Sequence, residues 1–230
     1  MTQKEVIRKL INLLTNELKA FGFQPVYKEQ GFYRKDNSII FFYDFLIYNR
    51  TILKSGAKGF LIEPYATIHI SEIEKYHNKI TTNETYKKDW SHSTIGNSVA
   101  NLLANPDGIN RKRNQSLNLH VFEERHIPLV TKELLKQFND FALPFFLKNH
   151  TVEKVDKLLN KHPKEYCVYM NNDLYRFIKG IIAAKLNNNP KIEELVKIYD
   201  GLIVEHDMPE YCKEEMKRLK NILPAISSVT

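Results

Sequence analysis

Five side chains in the first half of the chain are of types that do acid–base or metal chemistry: Asp44, Glu63, Tyr65, His69 and His120. Each falls in a run of aromatic and β-branched residues, so the alternation within the run decides which way it points. In 60–70, Glu63, Tyr65, Thr67 and His69 alternate with Phe60, Ile62, Ala66, Ile68 and Ile70. In 42–48, Asp44 shares a face with Phe42, Leu46 and Tyr48, and in 117–122, His120 and Asn118 oppose Leu117, Leu119 and Val121. If these runs lie in one sheet, its polar face gathers two histidines, two carboxylates and a phenol, a set able to hold a metal or move a proton. The same alternation describes an antiparallel sheet with one solvated face and no chemistry. The histidines lie on different strands, and no close ligand pair of the kind a dedicated site uses is present. The expectation is therefore no metal and no cofactor.

A second set is cationic. Arg111, Lys112 and Arg113 follow the strong turn Asn105-Pro106-Asp107-Gly108, and three successive cations on a loop suit phosphates. Trp90, with Tyr86, Lys87 and Lys88 nearby, offers a surface on which bases stack. The net charge of +7 points the same way, but it is spread as +3 over residues 1–50, +2 over 51–126 and +2 over 127–230. Acid and base interleave nearly everywhere, which is a solvated surface rather than a basic stripe. Nucleic acid is not the expected partner.

Several chemistries are excluded. The eight glycines form neither a dinucleotide-binding nor a phosphate-cradling loop, and no nucleophile elbow is present. The two cysteines, Cys167 and Cys212, make no CxxC pair and read as buried thiols. The N-terminus alternates charge with aliphatics and lacks the apolar core of a signal peptide. No stretch reaches the roughly 18 apolar residues of a membrane span. A cytoplasmic location follows as the expectation.

The elements that must position these residues change character twice. Thr2 and Glu5 have capping-box spacing, and Val6, Ile7, Leu10, Leu13, Leu14, Leu18 and Phe21 lie on one helical face over 3–21, closed by Gly22. The pattern then predicts strands near 23–28, 31–35, 38–48, 60–71 and 116–124, joined by turns too short for parallel crossovers. Within 72–115 only 94–104 suggests an element, a short helix. After His126 the spacing is helical, with Pro144 expected to kink or end the helix begun at Ile127. Helices follow near 151–160, 172–187, 191–205 and 209–222, with Pro190 and Pro209 at first-turn positions.

The stretch Leu18–Arg34, with Gly22-Phe23 closing a helix and Gly31-Phe32-Tyr33-Arg34 opening a strand, resembles the start of domain-of-unknown-function family 4304. The resemblance extends over about the first 150 residues. It implies an antiparallel sheet with helices in a bacterial protein, and no catalytic residues.

The fold expected is α+β: an antiparallel sheet with an N-terminal helix over residues 1–150, followed by an all-helical region over 151–230 that packs on it or forms an appendage. At 230 residues the chain is long enough to bury about 70% of its unfolded surface without staples. The function read from it is a non-catalytic module that binds another protein. Two alternatives stay open: an enzyme using Glu63, His69 and His120 on the polar sheet face, with Asp44 and Tyr65 beside them, and a nucleic-acid accessory protein using Arg111, Lys112, Arg113 and Trp90.

Overall fold

The computed structural model of this chain describes residues 1–51, 56–84, 86, 93–114 and 117–227. Two compact units divide it: the first comprises Met1–Ile68, Gly96–Pro106 and Lys112–Lys148, the second His69–Ile95, Asp107–Arg111 and Asn149–Thr230.

The first unit begins with helix α1 (Gln3–Lys19). Its capping box is formed, with the Thr2 hydroxyl accepting from the Glu5 amide at 3.3 Å and the Glu5 carboxylate accepting from the Thr2 amide at 2.7 Å. Val6, Ile7, Leu10, Ile11, Leu14 and Leu18 are buried, whereas Leu13 and Phe21 at the rim of the apolar face are exposed. The chain leaves the helix through Gly22 at φ 81°, a left-handed turn that a side chain would strain.

The sheet contains β1 (Gln24–Val26), β2 (Gly31–Asp36), β3 (Ile39–Thr51), β4 (Lys58–Ile70), β5 (Ile95–Ser98) and β6 (Leu119–Val121). The order is β1-β2-β3-β4-β5, with β6 also paired to β4. The β1–β2, β2–β3 and β4–β6 ladders are antiparallel, in the registers Pro25↔Phe32, Phe32↔Tyr43 and Leu61↔His120. The expected α+β architecture is thus present: an N-terminal helix, an antiparallel sheet of six strands and a helical C-terminal region. Within the sheet, one segment differs. Residues 95–98 are a strand, and only the following Val99–Ala104 (α3) is helical, capped by the Ser98 hydroxyl. The apolar run Val99–Leu103 invites a helix over the whole stretch, but the polar Asn97 and Ser98 interrupt it.

One face of the sheet is the core of this unit. Phe32, Phe41, Tyr43 and Phe45 are buried on it, under α4 (Ile127–Gln137) and α5 (Leu143–Lys148). Phe138 and Phe146 meet Tyr43 and Phe41 with ring centroids 5.3 and 5.4 Å apart. The Tyr43 hydroxyl donates to the Leu134 carbonyl at 2.8 Å, which satisfies its one polar atom in the core. Pro144 neither ends the helix nor stands in a regular turn. The chain widens into a π-helical turn over Phe138–Ala142, and Pro144 follows in the first turn of α5. The wider turn relieves the missing amide and ring clash that proline imposes.

The second unit holds α2 (Ser71–Ile80), α6 (Val152–Asn160), α7 (Asp173–Leu186), α8 (Ile192–Glu205) and α9 (Glu210–Ile222). Pro190 precedes the first residue of α8 by two and Pro209 is the cap of α9, so neither lies inside its helix. Helix α7 is buried along nearly its whole length. Buried Arg176 donates to the carbonyls of Leu159, His162 and Glu165, closing the end of α6. Asp156 accepts from the amides of Asn160, Asn187 and Asn189 and fastens the α7–α8 turn to α6. No helix among the described residues is long and apolar enough to cross a membrane.

Gly31 tests the sheet. A Cβ there would lie 2.4 Å from the Asp44 Cα and 2.5 Å from the Tyr43 carbonyl, both backbone. Gly31→Ala is expected to cost about 2 kcal/mol or more, because two strands must separate rather than one side chain turn. Chemical denaturation of the two proteins measures it.

Candidate functional site

The face of the first unit's sheet opposite the core is built by the period of two. On β3 it carries Asp44, Leu46, Tyr48 and Arg50, and the burial along the strand falls from half-buried Asp44 to exposed Arg50. On β4 it carries Leu61, Glu63, Tyr65 and Thr67, and because directly paired residues share a face, Leu61↔His120 puts His120 there too. Glu63 and His120 are therefore diagonal neighbours on adjacent strands.

Glu63 is only 3% exposed and its carboxylate is met by Arg113 at 2.9 Å. Tyr65 stands beside this pair. Burial, the Glu63 carboxylate and Tyr48 together push its phenol well above the ordinary value, against the opposing pull of Arg113. Partial burial and the nearby Arg50 cation hold the His120 imidazole below its ordinary value, and the ring stacks on Phe122 with centroids 5.8 Å apart. Glu63, Tyr65 and His120 are thus brought onto one face, joined by Tyr48, Arg50 and Arg113. His69 follows on β4 at the same parity, in the second unit.

Asp44 faces Gly31 across the β2–β3 ladder. Its Oδ1 is buried without a hydrogen-bond partner, and burial pushes its carboxyl up to about 7, with Glu29 adding to the shift and a backbone hydrogen bond opposing it.

The three loop cations have separate fates. Arg111 lies over the Tyr166 ring, 4.7 Å from its centre, and Arg113 is spent on Glu63. Lys112 is exposed, its backbone held at both N–H and C=O by the Asn105 side chain. Trp90 lies outside the described residues. Among the described residues no group of three His, Cys, Asp or Glu side chains could hold a metal ion. Cys167 and Cys212 are buried and unbridged.

A second cluster, in the second unit, was not anticipated from the sequence. The Lys179 ammonium on α7 has no exposed surface, and it donates to the Tyr86 hydroxyl at 2.7 Å, the Ser93 carbonyl at 2.7 Å and the Glu74 carboxylate at 2.9 Å. Glu74 on α2 also accepts from the Thr94 hydroxyl at 2.7 Å and the Tyr86 hydroxyl at 2.9 Å, while the Thr94 oxygen accepts from the Ile70 amide. Burial works to raise the Glu74 carboxyl, but the Lys179 charge and the hydrogen bonds hold it well below the usual carboxylate range. Burial lowers the Lys179 ammonium and Glu74 works against that. Every donor of the lysine is met, so the pair is a fully satisfied internal tie with no opening to a substrate atom. Its signal was in the sequence: Lys179 interrupts Phe177-Ile178 and Ile181-Ile182, an apolar run in which a solvated lysine has no place.

No family model, curated protein or solved structure matches the chain. Function must therefore be argued from these residues.

Two outcomes test the electrostatics. A carboxyl raised on folding contributes stability at low pH that is lost as pH climbs from the ordinary carboxylate value to its folded one, here about 7. Asp44→Asn is expected to stabilise the protein at pH 8 by about 2 kcal/mol, less than the full linkage because the residue keeps some solvent, and to change it little at pH 4. Urea unfolding at the two pH values checks this. Lys179→Met leaves Glu74 buried without its cation and is expected to cost about 3–5 kcal/mol, whereas adding Glu74→Gln to it recovers part of the loss. A double-mutant cycle that shows simple additivity contradicts the tie.

Proposed function

We propose that this chain is a cytoplasmic, non-catalytic module that binds another protein through the exposed end of this sheet face of the first unit, around Leu46 and Tyr48 on β3. The observation that carries the reading is the pair Leu46 and Tyr48, each 41% exposed and two residues apart on β3, where a sheet face used only for solvent would present polar side chains. Tyr65 and Arg50 flank them. Tyrosine and arginine around an apolar centre are the composition that concentrates binding energy at interfaces. Arg50 has no acidic partner among the described residues, so a partner that buries Leu46 and Tyr48 while presenting a carboxylate fits this face.

The acid–base residues support the reading by how they are spent. Glu63 is neutralised by Arg113. Engagement of Arg111 by Tyr166 and of Arg113 by Glu63 likewise leaves little of the loop for phosphates. Two unbridged cysteines suit a reducing compartment.

Site-specific photocrosslinking in cells that express the full chain tests the proposal. A crosslinker in place of Leu46 is expected to give one discrete protein adduct, and the same group in place of exposed Lys217 on α9 none. Tyr48→Ala with Arg50→Glu should abolish the adduct while changing stability by less than about 1 kcal/mol, as exposed substitutions do. Adducts that are absent at position 46, or unchanged in the double variant, overturn it.

A further inference from the structure

His77 on α2, in the second unit's polar cluster, is left unmet by its neighbours among the described residues. It has no exposed surface, and neither ring nitrogen has a hydrogen-bond partner. Its Nδ1 lies 3.6 Å from a Glu74 oxygen, beyond hydrogen-bond reach, and that oxygen is already taken by the Tyr86 hydroxyl. Two aromatic rings wall it in: Tyr86 at 4.7 Å and Tyr175 at 5.0 Å between centroids, both edge-on.

The charged and titratable groups facing it come from every element packed on α2. Glu74 comes from α2 itself, Lys179 and Tyr175 from α7, and Tyr86 from the segment after α2; from α9 comes Glu215, whose Oε1 is held by the Thr81 and Thr82 hydroxyls and the Thr82 amide. The carboxylate of Glu74 is committed to Lys179, Thr94 and Tyr86; Glu215 gives its Oε1 to the two threonines, and its Oε2 is buried without a hydrogen-bond partner among the described residues. A proton added to His77 would thus create a second buried cation next to the Lys179 ammonium, and the Glu74 oxygen on its Nδ1 side is already taken by Tyr86. Burial and Lys179 outweigh the two glutamates, so the imidazole is held below its ordinary value.

We propose that His77 is an acid-sensitive latch of the second unit, neutral in the packed state and protonated when α2 separates from α7. The sign follows from linkage. A histidine whose folded pKa is depressed contributes stability that is complete above the unfolded value of about 6.5 and is lost as pH falls below it. One proton taken up on opening makes the opening constant rise by up to about tenfold for each pH unit in that window. The latch is independent of the sheet face proposed above as a binding surface, because it needs no partner.

Hydrogen exchange of the intact chain, read as protection factors for α2 amides between pH 7.5 and pH 5, is the test. Protection of Ile73–Ile80 is expected to fall by about tenfold over the last pH unit, and His77→Phe, which keeps a ring between Tyr86 and Tyr175, should remove that fall. An equal fall in His77→Phe overturns the latch. If that variant does not fold, the wild-type imidazole signals decide: a His77 ring that titrates at or above pH 6.5 in the folded protein overturns the proposal, and a ring still neutral at pH 6 supports it.

Discussion

A lysine ammonium removed from water must find three acceptors or lose its proton. In the second unit this requirement organises the surrounding chain. Lys179 draws the Ser93 carbonyl, the Tyr86 hydroxyl and the Glu74 carboxylate to one point, and Glu74 in turn binds Thr94. Residues far apart in the sequence, on α2, on α7 and at Tyr86, Ser93 and Thr94, are thereby fixed to one another. Replacing such a pair with apolar side chains often costs nothing in stability, so its worth lies in specifying one arrangement. A helix buried on nearly all sides by apolar side chains, as α7 is, fits many partners equally well; its buried charges make the fit singular.

The first unit is ordered by a different constraint, the strict alternation of its strands. Phe41, Tyr43 and Phe45 go into the core, so Asp44, Leu46 and Tyr48 cannot. Each polar or apolar side chain on the second face is there because its neighbour is needed on the first. The close pairing of β2 and β3 at Gly31 then determines how deeply Asp44 sits, and its displaced titration is a consequence of that backbone contact.

Local signals were legible where a single residue type has a single geometric use. The Thr2–Glu5 box, the turn at Gly22, the β-meander and the four C-terminal helices could all be read in this way. Helix α2 escaped because its cap is Ile70, which offers no side-chain hydrogen bond, and because Glu74 and His77 look like members of a solvated face. Strand β5 escaped because Gly96, Asn97 and Ser98 carry no strand preference; tertiary pairing with β4 supplies what propensity does not. Of the polar face, the common side of Glu63, Tyr65 and His120 followed from parity. The Arg113–Glu63 pair did not, since nothing in a loop of three cations says which one reaches a strand some fifty positions earlier. Partners distant along the chain are set by packing, and packing leaves no periodic trace.

Strand β4 is thirteen residues long, and one side of it is shared end to end. Strand β6 covers it at Phe60–Ile62, and β5 lies against Ala66 and Thr67. Between them is Pro64, which has no amide hydrogen to offer. A strand of that length with a bare edge is a template on which another unfolded chain can grow a sheet. Here two short strands and a proline divide the edge into pieces, none long enough to nucleate such growth. The proline that looks out of place in the middle of a long strand thus acts as a guard against aggregation.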